Sequence, residues 1–321
     1  MTATPPLRGR KVLYLDLDDT MVDFASGVRR LNHVETVEYA GRYDQAPGIF
    51  SLMDPMPGAL TALHLLAQHF DTYLLSTAPW LNPSAWTDKL LWVQQQFGIE
   101  EGTDAYKRLV LSHHKNLNRG DFLVDDSPAH GASEFVGEWL RFGPDAAFST
   151  WQQVTDYLVP LAAGPTLGEA IEIARDAHAG QVDRLGVPYI KHPLEVMRRV
   201  STEEQKIVAI LHDVVEDSPV TVADLTALGF SARVTAAVAA ITKIPGEPLE
   251  TSMARVAADP LATVVKMADL SHNADPDRIA LLPAEKRAEL QTRYEESARL
   301  IGSDLDAILF EAQDARFGEH R

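Results

Sequence analysis

The rhythm of apolar and polar positions changes about halfway along this chain. In the first half, apolar runs of strand length alternate with longer runs of helical period. "KVLYLD" from Lys11 reads as a buried strand, "ALTALHLLAQHF" from Ala59 as a helix and "DTYLLST" from Asp71 as a strand. "AWTDKLLWVQQQFG" from Ala85 is a further helix, and "RLVLS" and "DFLVDD" are further strands. Such alternation predicts an α/β unit with a Rossmann-like parallel sheet, covered by helices on both faces. Near "YLVPLAAGPTLGEA" the texture changes: Pro160, Gly164 and Pro165 punctuate a small-residue stretch, and Thr166 is placed to cap a helix. Beyond it every apolar segment has a helical period. These segments are "LGEAIEIARDAHAG", "PLEVMRRV", "EEQKIVAILHDVVED", "SARVTAAVAAITK", "SMARVAAD", "LATVVKMADLSHNA" and one long final stretch from Glu285 to Phe317. The pattern predicts two domains, an α/β one over 1–163 and an all-α one over 164–321.

Polar residues that interrupt the apolar runs carry the candidate chemistry. In a parallel sheet the ligand sits beyond the carboxyl ends of the strands. Asp16, Thr77, Lys115 and Asp125 each follow an apolar run at such an end. In an extended segment residues i and i+2 share a face, so Asp16 and Asp18 of "YLDLDDT" converge on one point. Hard oxygen ligands of this kind suit Mg²⁺. A carboxylate can then attack a phosphoryl group while a second carboxyl protonates the leaving alcohol. A hydroxyl and a lysine after other strands would bind the remaining phosphate oxygens.

In the second half, "LHDVVED" sets His212 and Asp213 one turn before Glu216 and Asp217. On a continuous helix Glu216 shares a face with both His212 and Asp213. His212 and Asp213 are about 100° apart around the axis, which suits a metal at a helix seam. "YIKHPLEV" adds His192 and "VVKMADLSHNAD" adds Asp269. Imidazole nitrogen with carboxylate oxygen favours Mn²⁺, Fe²⁺ or Zn²⁺. Four such groups among apolar neighbours would be costly in a core unless an ion compensates them.

The 321 residues carry a formal net charge of -17, which argues against sequence-independent binding to a nucleic-acid backbone. Small phosphorylated substrates remain compatible, because a metal ion neutralises phosphate locally. With no cysteine, thiolate chemistry and disulfides are excluded. No apolar run reaches the roughly 18 residues needed to span a bilayer, and the start lacks a signal-peptide pattern. A cytoplasmic protein without membrane contact is the expectation. The final helical stretch offers a surface for homo-oligomer formation.

Two resemblances follow from these motifs. "DLDDTMVDF", "MPGALTAL", "LLSTAPW", "DKLLWVQQQFG" and "HHKNLNRGDFLVDDSPAHGASEFVGEWLRFG" resemble the haloacid-dehalogenase superfamily, and within it the 5′(3′)-deoxyribonucleotidase branch. The likeness covers residues 11 to 158. It implies a Mg²⁺-dependent phosphatase with Asp16 as nucleophile and Asp18 as general acid/base. Thr77 and Lys115 would hold phosphate, and Mg²⁺ would sit on Asp16, the Asp18 backbone carbonyl and a carboxylate of the Asp125–Asp126 pair. Phe24 and Phe50 fall where this branch places aromatics around the nucleoside, and fit core filling equally well. Asp19 is a departure, standing where many relatives have Gly.

"AHAGQVDRLGVPYIKHPLEV", "AILHDVVEDS", "AITK" and "MADLSHNAD" resemble the HD superfamily of metal-dependent phosphohydrolases, most closely the hydrolase domain of RelA/SpoT-type enzymes and small alarmone hydrolases. That likeness makes His192, His212, Asp213 and Asp269 metal ligands, with Mn²⁺ or another divalent transition metal. Glu216 and Asp217 would activate or orient water, and Asn273 would help position the substrate phosphate. His178 and His272 read as structural. Where alarmone hydrolases have a basic pair after "GQ", this chain has Asp183 and Arg184. Arg184 still offers a phosphate contact. No segment of this sequence reads as synthetase-like, so alarmone synthesis is not expected. Together the resemblances imply a bifunctional nucleotide hydrolase acting on small-molecule nucleotides, (deoxy)nucleoside monophosphates in one half and ppGpp-like nucleotides in the other. The alternative is a nucleotide-sensing regulator in which one domain controls the other.

Overall fold

The computed structural model describes residues 10–183 and 185–318, so Arg184 lies outside the described residues. The chain divides into two compact units, Met1–Ala163 and Gly164–Arg321.

The first unit is built on strands β1 (Val12–Leu15), β4 (Asp71–Ser76), β5 (Leu109–Leu111), β6 (Phe122–Asp125) and β7 (Glu138–Arg141). They form one sheet in the order β5-β4-β1-β6-β7. Every pairing is parallel, with Leu13 opposite Thr72 on one side and Phe122 on the other. The crossover between β1 and β4 contains the helix Ala59–His69, and that between β4 and β5 the helix Ser84–Phe97. Leu13, Leu15, Leu63, Leu66, Phe122 and Val124 are among the buried residues of the core between sheet and helices. β7 lies in "GEWLRFG", whose mixed polarity hid it from a hydrophobicity reading. A second, antiparallel pair joins β2 (Val22–Asp23) to β3 (Asp54–Pro55). It closes the base of an insertion of short helices spanning 24–53.

The second unit is all helical. Thr166 caps Leu167–Ala177 in a reciprocal box with Glu169, and Thr202 caps Glu203–Leu211 in the same way with Gln205. Val208, Leu211, Val238 and Val265, from three different helices, share one apolar core. Two expected helices are each broken. The stretch 203–217 is two helices, Glu203–Leu211 and Val214–Asp217, with the break at His212 and Asp213. Asp213 has φ -97 and ψ -8, so the backbone turns where the polar pair is drawn toward other helices. The final stretch likewise divides into Ala284–Leu300 and Leu305–Gly318, stopped by Gly302 at φ +80. Among the described residues no helix is long and apolar enough to cross a membrane.

Candidate active sites

In the first unit, Asp16 is the residue after β1, and its N–H donates to Val124 O of β6 at 2.9 Å. That bond fixes the carboxylate at the mouth of the sheet, where it is 5% exposed. Asp125 ends β6 and accepts the Ser127 N–H at 3.0 Å. Lys115 opens a single 3-10 turn, and its N–H donates to His130 O at 2.7 Å. Its ammonium lies 2.9 Å from Asp16 Oδ1 and also pairs with Asp125. Oxygens of Asp16, Asp125 and Asp126 all lie within 4.8 Å of one another. One ammonium cannot balance three carboxylates so close together. Burial, followed by repulsion from Asp16, pushes Asp125 up to about 7 and Asp126 up to about 6. A hard divalent cation fits this all-oxygen donor set.

The carboxylate of Asp18 stands apart from that trio and bonds to Lys89. Lys89 donates as well to Ser76 Oγ at 2.9 Å, and its ammonium lies 4.3 Å from the centroid of the Phe50 ring. Burial raises the Asp18 carboxyl, Lys89 opposes the rise, and Asp16 adds to it. Its Oδ1 is shielded from solvent and has no hydrogen-bond partner. Thr77 Oγ1 donates to Ser112 O at 3.0 Å, which ties the loop after β4 to the loop after β5. Phe24 and Phe50 meet at 6.0 Å between centroids, with Phe50 only 3% exposed. Asp19 sits at φ +54, the left-handed region that glycine favours and aspartate tolerates. Its substitution for Gly therefore keeps the turn.

Lys89 was not singled out from sequence, although a signal was present. Ala85, Asp88, Lys89, Trp92 and Val93 form the buried stripe of their helix, so a lysine and an aspartate occupy core positions.

In the second unit, four groups from three places meet. Nε2 of His192 is 3.2 Å from Asp269 Oδ1 and 3.5 Å from Asp213 Oδ2. His212 Nδ1 faces Ala209 O at 2.7 Å, so that nitrogen carries the proton and Nε2 is turned inward. That Nε2 lies 3.0 Å from Asp213 Oδ2, without the alignment a hydrogen bond needs, and is left as a buried orphan. His192 Nδ1 contacts His272 Nδ1 at 2.7 Å, with the two rings stacked at 5.0 Å. Burial and the neighbouring His192 hold His272 down to about 3, so it is a neutral partner. His272 thus orients a candidate ligand, a role sequence reasoning missed because the two residues are 80 positions apart.

Asp269 is gripped from both sides: Lys266 Nζ donates to Oδ2 at 2.8 Å and Asn273 Nδ2 to Oδ1 at 2.5 Å. The Tyr189 hydroxyl donates to Asp213 at 2.8 Å. Burial acts against the Asp213 and Asp269 charges, but His212 for Asp213 and Lys266 for Asp269 hold both carboxyls well below the usual range. Burial also lowers His212, yet Asp213 overcomes it and leaves the imidazole raised to about 9. In the absence of an ion this nest holds a proton, and a cation would take its place. Two inward imidazole nitrogens and two carboxylates fit a borderline divalent metal.

Glu216 and Asp217, on the short helix beyond the break, diverge from one another in their contacts. Glu216 is held by Lys243, with Nζ at 2.7 Å and the backbone N–H at 3.2 Å. Burial and then Asp213 raise Asp217, whose backbone O accepts from Gln181 at 2.8 Å. A cavity of about 420 Å³ opens on His192, Asp213 and Asp269 and carries Lys243, Arg278 and Arg293 on its walls. The Asp183 carboxylate accepts the Leu185 and Val187 N–H groups at 2.9 and 3.0 Å and Arg278 at 3.0 Å. His178 Nδ1 meets Gln181 Oε1 at 2.8 Å.

Residues 28–143 match the family described as 5′ nucleotidase, deoxy (Pyrimidine), cytosolic type C protein. A protein of Vibrio phage KVP40 carrying the name 5′(3′)-deoxyribonucleotidase is 50% identical over 149 residues, which are 46% of this chain and 85% of that protein. The bifunctional (p)ppGpp synthase/hydrolase SpoT of Escherichia coli K12 is 30% identical over 141 residues, 39% of this chain. The chain spans only 20% of the length of SpoT. A solved metazoan ortholog of SpoT, described as hydrolysing ppGpp, is 22% identical with a TM-score of 0.40, covering 48% of this chain and 98% of its own. With the site around Asp16, the first of these likenesses defines the first unit as a nucleotidase-type phosphoric ester hydrolase, while the second unit is similar to a part of SpoT. The chain belongs, through its first unit, to the 5′(3′)-deoxyribonucleotidase family.

Proposed function

We propose that this protein is a bifunctional, metal-dependent nucleotide hydrolase: 1–163 is a (deoxy)nucleoside monophosphate phosphatase and 164–321 removes pyrophosphate from ppGpp-like nucleotides. The observation that carries the reading is that each unit gathers cation-binding donors beside a second, separately anchored acid: Asp18 in one and Glu216 in the other.

In the first unit Mg²⁺ would be held by Asp16, the Asp18 backbone carbonyl and the Asp125–Asp126 pair. When bound, the ion spreads phosphoryl charge. Asp16 attacks phosphorus and the P–O bond to the nucleoside breaks. The raised Asp18 carboxyl gives its proton to the departing 5′ oxygen. Asp18, now ionised and steadied by Lys89, then takes a proton from the water that hydrolyses the phosphoaspartate. Lys115 and Thr77 hold phosphoryl oxygens, and Phe24 borders the nucleoside.

In the second unit His192, His212, Asp213 and Asp269 would hold Mn²⁺ or a similar ion, which when bound lowers the pKa of water. Glu216 and Asp217 would take a proton from the attacking water and aim its oxygen at the phosphorus; as that bond forms, the P–O bond to the ribose breaks, pyrophosphate leaves and the proton passes to the ribose oxygen. Lys243 holds Glu216 in place, while Asn273 and Arg278 offer donors to phosphate.

Phosphate and pyrophosphate release by the full chain tests the reading, with nucleoside monophosphates and ppGpp as substrates under Mg²⁺ and then Mn²⁺. Asp16→Asn should abolish only the first activity and Asp213→Ala only the second. If both variants keep wild-type turnover and lose nucleotide binding, the protein is a sensor instead.

A further inference from the structure

Among the described residues no large hydrophobic side chain is more exposed than Trp80, at 83%. With Leu81 at 69% and Trp86 at 46% also exposed, the indole belongs to an apolar patch of the kind that meets a ligand or partner. Its position in the chain narrows which one. Trp80 follows Thr77 by three residues in the loop after β4, and His113 precedes Lys115 by two in the loop after β5. The Thr77–Ser112 hydrogen bond ties those two loops together at 3.0 Å. Three residues of chain reach no further than roughly 10 Å. An aromatic surface is therefore tethered close to the two side chains assigned to phosphate.

The rings form an ordered group. The imidazole of His113 lies edge to face between two indoles, 6.0 Å from Trp80 at 66° and 6.4 Å from Trp86 at 69°. His113 Nε2 is shielded and has no hydrogen-bond partner, so ring contacts hold this imidazole. Trp86, in the first turn of the helix Ser84–Phe97, remains 46% exposed. Phe50 has no comparable free face, being 3% exposed with the Lys89 ammonium over its ring.

We propose that Trp80, backed by His113 and Trp86, is the platform on which the base of a nucleoside monophosphate stacks while its phosphate occupies the Asp16–Lys115 site. The proposal rests on the phosphatase reading of the first unit. Indole stacking engages the π-face that every base presents, so this platform gives affinity with little choice among bases. Purines, with the larger face, gain most.

The test compares a deoxyribonucleoside 5′-monophosphate with 2-deoxyribose 5-phosphate, which keeps the phosphate and sugar and lacks the base. In the full-length protein Trp80→Ala should lower kcat/KM for the nucleotide about tenfold, within the range one stacked base supplies. The same variant should leave kcat/KM for the sugar phosphate unchanged, and Trp80→Phe should retain most nucleotide activity. Equal losses on both substrates, or no loss on either, overturn the proposal. A fall in oligomer size on Trp80→Ala without the substrate-specific loss also overturns it, by making the patch a contact between copies. Should the wild type hydrolyse neither compound, the phosphatase reading fails and fluorescence decides the platform separately. Quenching by the nucleotide that disappears in Trp80→Ala supports stacking, and absent quenching rejects it.

Discussion

The two sites solve the same electrostatic problem in opposite ways. In the first unit Asp16, Asp125 and Asp126 crowd together around a single lysine, and the result is repulsion that drives Asp125 up to about 7 and Asp126 up to about 6. In the second, imidazoles alternate with carboxylates, and outer partners aim each ligand: His272 on His192, Ala209 O on His212, Lys266 on Asp269. On the proposed reading, a cation at the first site would relieve repulsion among carboxylates, whereas one at the second would displace a proton from side chains already aimed by their neighbours.

The largest effects separate the sites outright. Asp16→Asn should cost the phosphatase roughly 10⁴-fold in kcat and leave pyrophosphate release intact, and Asp213→Ala should do the reverse, read by product assays on each substrate. Next, Lys89→Met should destabilise the first unit by about 1–3 kcal/mol in chemical denaturation, because it leaves the Asp18 carboxyl and Ser76 Oγ without their buried donor. Saturation with Mg²⁺ at a hundred times its Kd should add about 2.7 kcal/mol to the transition of the unit that binds it. Calorimetry with a chelator should reverse that gain, and a transition unmoved by either treatment would break the contrast between the two sites. His272→Ala should weaken metal binding to the second unit by roughly 10- to 100-fold, measured by competition with a chromophoric chelator, with the fold intact by circular dichroism.

The smallest effect concerns pH. Burial alone would raise Asp183, but the Val187 and Leu185 N–H groups and Arg278 overcome it and lower the carboxyl. Its folded pKa lies below the unfolded one, so its contribution is complete above about pH 4 and lost as the pH falls through the folded value. Asp183→Asn should therefore lower the melting temperature slightly at neutral pH and flatten its fall at acid pH.

Much of this was legible because local chemistry dictated it. The strand ends marked Asp16, Thr77, Lys115 and Asp125, and apolar period marked the helices. Thr166 announced a helix cap, which the structure completes as a reciprocal box with Glu169. What escaped was set by contacts distant in sequence. The break at His212–Asp213 sits where Asp213 meets Tyr189, 24 residues earlier, and no local breaker announces it. His272 passed as structural because its partner lies in another helix. The grip of Lys89 on Asp18 crosses 71 residues, yet a cation in an apolar stripe was the clue to it.

The two-residue β2–β3 pairing brings the ends of the 24–53 insertion together beside the sheet. Lengthening a segment whose ends are already pinned adds closure entropy only logarithmically, about 0.6 kcal/mol per doubling. Added length at the exposed turns of the insertion would therefore cost little, provided that Ile49, Phe50 and Met53 keep their places in the core beside the sheet.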